Sequence, residues 1–229
     1  MERLNPELKT LSITPLPELI NGDALNHFRQ HVHSLKVLMS RYRSAMMEVE
    51  TKFKVLNEEF SLANDRNHIE SIKVRLKSMD SILEKLHRRG LPLTVESVEK
   101  NLTDVAGVRV ICPFVDDIYV LVDCLLRQSD VELLQIKDYI KHPKENGYRS
   151  LHLIIAVPIF LRDETCQVKV EVQLRTIAMD FWASLEHQLR YKKDIPENMA
   201  EKLSADLKEC ADISAMLDQR MQDIKDRIE

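Results

Sequence analysis

Lys137, Lys144, Arg149 and His152 surround the aromatic Tyr148 in the stretch KDYIKHPKENGYRSLH. Pro143 and Gly147 oppose a helix or a central strand here, so a loop is expected. Cations and a ring on a loop suit a ligand that is both anionic and flat. The ring can stack on a base while ammonium and guanidinium groups meet phosphate. A nucleotide answers that description, and a surface turn with solvated lysines is the plain alternative.

A second set of cations lies upstream. Lys73, Arg75 and Lys77 alternate with Ile72, Val74 and Leu76, the period of a strand, which puts three cations on one side roughly 7 Å apart. The helix expected next, capped by Ser78 and ended by Gly90, carries Lys85, Arg88 and Arg89. Strand cations leading into the positive start of a helix make a polyphosphate cradle. Only Gly22, Gly90, Gly107 and Gly147 occur in the chain, which excludes a P-loop and a GxGxxG fingerprint. Any phosphate must be gripped by side chains.

Two acids stand beside these cations. Asp104 begins an expected strand in which Arg109 is the only charge of the run VRVIC, and Glu171 lies in the alternating run VKVEVQLR. Carboxylates on neighbouring strands near a di- or triphosphate suit Mg2+, which takes one or two acids and completes its shell from phosphate and water. Metal-assisted transfer of a phosphorus group is the matching reaction class. Taken singly, each acid is as well explained by a salt bridge, and His152 by a structural role.

The elements that must position these groups follow from periodicity. From Asp23 to about residue 62 apolar residues recur every three or four positions, giving one long amphipathic helix. Strands are expected at 72–76, 104–112, 131–139 and 151–157, the last ended by Pro158. The clearest strand has Val168, Val170, Val172 and Leu174 on one face and Lys169, Glu171, Gln173 and Arg175 on the other. Shorter helices, one capped by Thr94, one starting at Asp116 or Asp117 and one capped by Thr176, fall between or after the strands. Pro196 opens a last helix to 228, whose Met199, Leu203, Leu207, Cys210, Ile213, Leu217, Met221, Ile224 and Ile228 fit a single stripe. The fold class is α+β: a mixed sheet of about five strands, flanking helices, and long amphipathic helices at both ends. Residues 1–22 read as an irregular arm and 23–229 as one domain with its core at about 66–193. The two long helices would serve packing and oligomerisation.

A net charge of −4 argues against a protein that coats nucleic acid or anionic membrane. The basic character is local: residues 66–89 hold seven Lys/Arg against three acids, whereas 197–229 hold nine acids against five bases. No apolar run reaches membrane-span length and no signal-peptide pattern opens the chain, so a cytoplasmic protein is expected. The four cysteines form no CxxC pair and read as reduced structural thiols.

Four ordered motifs, RLKSMDSILEK at 75–85, DVAGVRVIC at 104–112, KDYIKHPKENGYRSLH at 137–152 and EVQLRTIAMDFWASLEH at 171–187, closely resemble the synthetase domain of the RelA/SpoT family. With that domain alone the chain is similar to the small alarmone synthetases, which make (p)ppGpp from ATP and GDP or GTP and are commonly homotetramers. The resemblance implies that Arg75, Lys77, Ser81, Lys85 and Arg88 hold ATP phosphates or ribose, with Arg75 and Arg109 sandwiching adenine. It implies that Asp104 and Glu171 hold Mg2+ and that Glu171 helps deprotonate the attacking hydroxyl. Lys137, Lys144 and His152 would meet the guanine nucleotide's phosphates, Tyr148 would stack on guanine, and Asn146 and Gln173 would join that subsite. Glu186 and His187 would form a supporting shell. Some small synthetases bind regulatory RNA or (p)ppGpp between subunits, at positions outside the shared motifs, and the resemblance would make either a further partner. The family's hydrolase domain relies on a His-Asp pair; no such dipeptide occurs here, so no (p)ppGpp hydrolysis is expected.

Two rivals remain at this stage. A nucleotidyltransferase acting on RNA ends would usually carry a close carboxylate pair, and the strands carrying Asp104 and Glu171 have no DxD or DxE in or beside them. A non-catalytic nucleotide or RNA binding module would need the cations but not both acids.

Overall fold

The computed structural model describes residues 22–64, 66–190 and 197–228, in two units, Met1–Leu38 and Met39–Glu229. The N-terminal arm to residue 21 and Pro196 lie outside the described residues. Elements run in the order α1 (Gly22–Asn64), β1 (Ser71–Leu76), α2 (Met79–Arg88), α3 (Val95–Asn101), β2 (Ala106–Cys112), α4 (Val115–Leu126), β3 (Glu132–Asp138), β4 (Leu151–Phe160), β5 (Thr165–Thr176), α5 (Ile177–Arg190) and α6 (Glu197–Lys225). This is the α+β architecture expected, with a mixed five-stranded sheet and long helices at either end.

The sheet has the order β1-β2-β5-β4-β3. β2 and β5 run parallel and the other neighbours antiparallel. Alternation then divides it into two faces. Val108 lies beside Val172 and Leu153, and Val110 beside Leu174 and Leu151; all are buried. Each such side chain contributes roughly 1.5–3 kcal/mol by leaving water. In the second unit α1 adds Tyr42, Met46, Val49, Phe53 and Leu56, spaced three or four apart, and α4 adds Ile118, Leu121, Val122 and Leu125. On the opposite face the register aligns Lys73, Arg109, Gln173, His152 and Lys137 across all five strands. The neighbouring row holds Arg75, Gly107 and Glu171.

Local chemistry explains the boundaries. Ser78 caps α2 by accepting from Ser81 N, and Thr94 caps α3 by accepting from Ser97 N. Thr176 Oγ1 accepts from Met179 N at 3.1 Å to start α5 and donates to Asp218 on α6 at 2.7 Å. Trp182 Nε1 donates to Leu207 O at 2.8 Å, a second tie between α5 and α6.

Several sequence expectations need correction. β4 continues through Pro158 to Phe160, because β3 pairs it only as far as Ala156, and beyond that a missing N–H breaks no ladder on that side. Asp104 stands two residues before β2. α4 begins at Val115, one residue before the earlier of its two expected starts, with Phe114 in the cap position and Asp116 and Asp117 in its first turn. There Asp117 takes Arg66 and Asp116 takes Lys225 of α6. On α6 Leu207 and Ala211 are buried, while Cys210, Ile213, Leu217, Met221 and Ile224, and Ile228 just beyond its end, are exposed, so most of the expected stripe faces away from the chain's own core.

Candidate active site

β1, β2 and β5 line a cavity of about 430 Å³ with Lys73, Arg75, Lys77, Asp104, Arg109, Glu171 and Gln173. Gly107 forms part of its floor; a Cβ there would sit 3.4 Å from the Arg75 carbonyl oxygen, the close backbone approach that glycine permits.

Asp104 is held from both sides. Lys77 Nζ donates to Oδ2 at 2.7 Å and Lys85 Nζ to the same oxygen at 2.6 Å. Burial pushes this carboxyl up, but the two ammonium groups outweigh it and hold Asp104 below the ordinary carboxylate range. Its Oδ1 is buried and has no hydrogen-bond partner. Glu171 behaves oppositely: burial first, and then the charge of Asp104, raise its pKa despite a hydrogen bond from Gln173 Nε2 at 3.0 Å. An orphaned oxygen on one acid and a carboxylate destabilised by its neighbour both fit a divalent cation between them. Among the described residues no group of three or more His, Cys, Asp or Glu is arranged as a metal centre, so two acids would leave further positions to phosphate and water.

The loop joining β3 to β4 is built from its own backbone. Tyr139 N donates to Ser150 O at 3.0 Å, Lys144 N to Tyr148 O at 3.2 Å and Gly147 N to Lys144 O at 2.8 Å. Asn146 Oδ1 accepts from Tyr148 N at 3.2 Å, and its amide donates to Glu186 at 3.5 Å. Gly147, at φ +85°, lies so close to α6 that an added Cβ would be 2.5 Å from Ala211 Cβ. The loop thereby sets Tyr148 against Trp182, Ala183, Leu207 and Ala211.

Tyr148 is gripped at both ends. Lys144 Nζ lies 4.8 Å from its ring centroid and the Arg175 guanidinium 5.2 Å. The hydroxyl accepts from Arg175 Nη2 at 2.7 Å and lies 2.9 Å from His152 Nε2. Burial, reinforced by Arg175, Lys144, Lys137 and Arg109, lowers the His152 pKa to about 3, so the imidazole is neutral and its 3.8 Å approach to Glu171 is not an ion pair. The arrangement satisfying all three groups has the tyrosine hydroxyl donating to Nε2 and the imidazole proton on Nδ1, the nitrogen nearer Glu171.

Of the residues singled out in the sequence, Arg75, Lys77, Asp104, Arg109, Glu171 and Gln173 share the cavity wall, and Lys85 joins through Asp104. His152 and Tyr148 continue from the next strand and loop. Lys137 pairs with His152 across β3 and β4 but is exposed. Ser81 is engaged by the Ser78 cap, and Asn146 and Glu186 shape the loop. Arg88 and His187 are exposed and lie outside the cavity lining. Two residues escaped the sequence reading as members of the site: Arg175, noted only for its strand face, and Asp180. Asp180 Oδ1 accepts from Arg109 at 3.3 Å and Arg175 at 3.1 Å, and Oδ2 from Lys73 at 2.9 Å.

The family model described as "Region found in RelA / SpoT proteins" matches residues 74–196. The GTP pyrophosphokinase YwaC of Bacillus subtilis is 42% identical over 208 residues, covering 87% of this chain and 97% of the relative. The GTP pyrophosphokinase YjbM of the same organism is 36% identical, covering 82% and 87%. Among solved structures, small alarmone synthetase 1 of B. subtilis bound to its product pppGpp superposes with a TM-score of 0.76 at 34% identity, covering 85% of this chain and 97% of that one. Small alarmone synthetase 2 of B. subtilis does so with a TM-score of 0.74 at 44% identity, covering 84% and 98%.

Proposed function

The chain belongs to the RelA/SpoT family, and on that premise we propose that it is a small alarmone synthetase, a GTP pyrophosphokinase transferring pyrophosphate from ATP to the 3'-hydroxyl of GDP or GTP. The acceptor oxygen attacks the β-phosphorus of ATP, the bond from that phosphorus to the α-phosphate oxygen breaks, and AMP departs. The hydroxyl proton passes to Glu171, whose raised pKa makes it a better base than an ordinary carboxylate.

The observation that carries this reading is the convergence of both acids and the Arg75–Arg109 pair on one cavity, with Tyr148 and His152 beside it. Arg75 and Arg109 clamp adenine; Lys77 and Lys85, with Ser81 and Arg88, take ATP phosphates or ribose. Tyr148 stacks on guanine, and Lys137, Lys144 and neutral His152 meet the acceptor's phosphates, with Asn146 and Gln173 fixing loop and acceptor. Glu186 and His187 support that side. Asp104 and Glu171 would hold Mg2+, which supplies charge neutralisation on the transferring phosphates. Alignment and fixed charge account for most of the rate, as the shared groove favours.

The finer assignments belong to the same proposal: an arm at 1–22, a single synthetase domain at 23–229 with its core at about 66–193, a cytoplasmic homotetramer, and regulatory RNA or (p)ppGpp as a further partner. The exposed apolar residues of α6 support self-association. No described helix is long and apolar enough to cross a membrane.

Incubation with ATP and either acceptor tests the activity. AMP and a guanosine tetra- or pentaphosphate are expected; extension of an RNA end with release of pyrophosphate, or binding without product, would replace this reading.

A further inference from the structure

Lys73 and Arg109 are direct partners across β1 and β2, and like charges so placed repel. Arg175, 5% exposed, lies close enough to depress the pKa of Arg109, after burial itself. Three cations are therefore crowded at one end of the sheet, and Asp180, 7% exposed, touches all three. It stands in the first turn of α5, where the helix dipole also favours an anion. Burial raises its pKa, but the bond from Lys73 and the charges of Arg109 and Arg175 carry the net effect downward.

The contacts form a closed ring. Arg109 and Arg175 each give Nη1 to Asp180 and Nη2 to Gln173, the latter at 3.5 and 3.2 Å. Gln173 is neutral, so the counter-charge of the ring comes from Asp180. Its connections lead outward in three directions. Arg109, with its side chain 34% exposed, lines the cavity; Gln173 donates to Glu171; Arg175 donates to Tyr148.

We infer that Asp180 is a positioning residue common to both nucleotide subsites, holding Arg109 toward ATP and Arg175 behind the acceptor-stacking ring. This rests on the subsites assigned above. Its charge, rather than its bulk, does the positioning, because a neutral side chain of the same shape leaves three neighbouring cations to separate. Loss of the outer-shell partner of a metal ligand costs on the order of 10- to 100-fold in metal affinity or activity, and the same orienting role behind a nucleotide-binding guanidinium sets the scale expected for Asp180.

The test is direct binding, by calorimetry, of GDP and of a non-hydrolysable ATP analogue to wild type, Asp180→Asn and Asp180→Glu, with initial rates and melting curves alongside. Asp180→Asn is expected to weaken both nucleotides at least about tenfold and to raise both KM values more than it lowers kcat, and Asp180→Glu to recover most of that loss. Unchanged binding in Asp180→Asn overturns the inference. So does weakening of one nucleotide alone, or equal loss in Asp180→Glu and Asp180→Asn at matched thermal stability. If wild type binds both nucleotides yet forms no alarmone, the synthetase reading falls, while the binding comparison still decides the role of Asp180.

Discussion

The two ends of Tyr148 can be separated by paired substitutions. Tyr148→Phe keeps the ring but removes a hydroxyl bonded to charged Arg175 at 2.7 Å and to His152 at 2.9 Å. A hydrogen bond to a charged group is worth ~1.5–3 kcal/mol and a neutral one ~1 kcal/mol. Arg175 Nη2 retains Gln173 at 3.2 Å, so the combined loss should fall near ~2–3 kcal/mol. For a chain of this size that is a drop in Tm of roughly 5–10 °C. The apparent affinity for the acceptor should change little, because the face that stacks is intact. Tyr148→Ala removes the ring as well, and base–aromatic stacking of ~1–3 kcal/mol becomes a rise in acceptor KM of roughly 5- to 150-fold. Initial rates at fixed ATP with GDP varied, beside differential scanning calorimetry, read both quantities. Equal acceptor KM in Tyr148→Ala and wild type would refute the stacking role, and an equal rise in Tyr148→Phe and Tyr148→Ala would transfer the effect to the hydroxyl.

Glu171→Gln should lower kcat by ~10²-fold or more. A carboxyl whose folded pKa lies above its unfolded value costs stability once pH exceeds the unfolded pKa, so Glu171→Gln should melt no lower than wild type at neutral pH, and a clear drop in Tm would count against the raised pKa. His152, with its pKa lowered to about 3, should show no imidazole titration by NMR between about pH 5 and 8, the usual histidine window. Since the unfolded chain takes up that proton first, the stability owed to neutral His152 is present above the ordinary histidine pKa and declines as pH falls below it; titration near 6.5 would contradict the burial argument. Gly147→Ala combines a left-handed φ with a 2.5 Å approach to Ala211 and should cost at least ~2 kcal/mol by thermal melting, with the acceptor KM raised as the loop lifts from α6.

Much of this architecture could be read from one-dimensional pattern. Alternation at 72–77 and 168–175 located β1 and β5 and their polar faces, and Ser78, Thr94 and Thr176 marked helix starts through the side-chain bonds found there. Arg75, Arg109, Glu171 and Gln173 stand out as polar groups within strands, and Lys77 and Asp104 as charges at strand ends. Asp180 does not stand out, since an acid on a helix surface has the same pattern whether it meets water or three cations. Its role depends on Lys73 lying opposite Arg109 and on the tight turn between Arg175 and α5, facts of register that the chain's order does not disclose. Pro158 misled for a related reason: whether a proline ends a strand depends on how far the neighbouring strand extends. The α6 stripe showed the right period, but period alone does not say whether an apolar residue meets its own chain.

The strand order β1-β2-β5-β4-β3 makes β5, last of the five to leave a ribosome, the central one. Until it emerges, β1–β2 and β3–β4 are two separate hairpin-like pieces with no common ladder, and the cations on one have no acid from β5 beside them. Arrival of a single keystone segment joins the halves and completes the proposed catalytic groove in the same event, so an unfinished chain would not spend nucleotide before its sheet is complete.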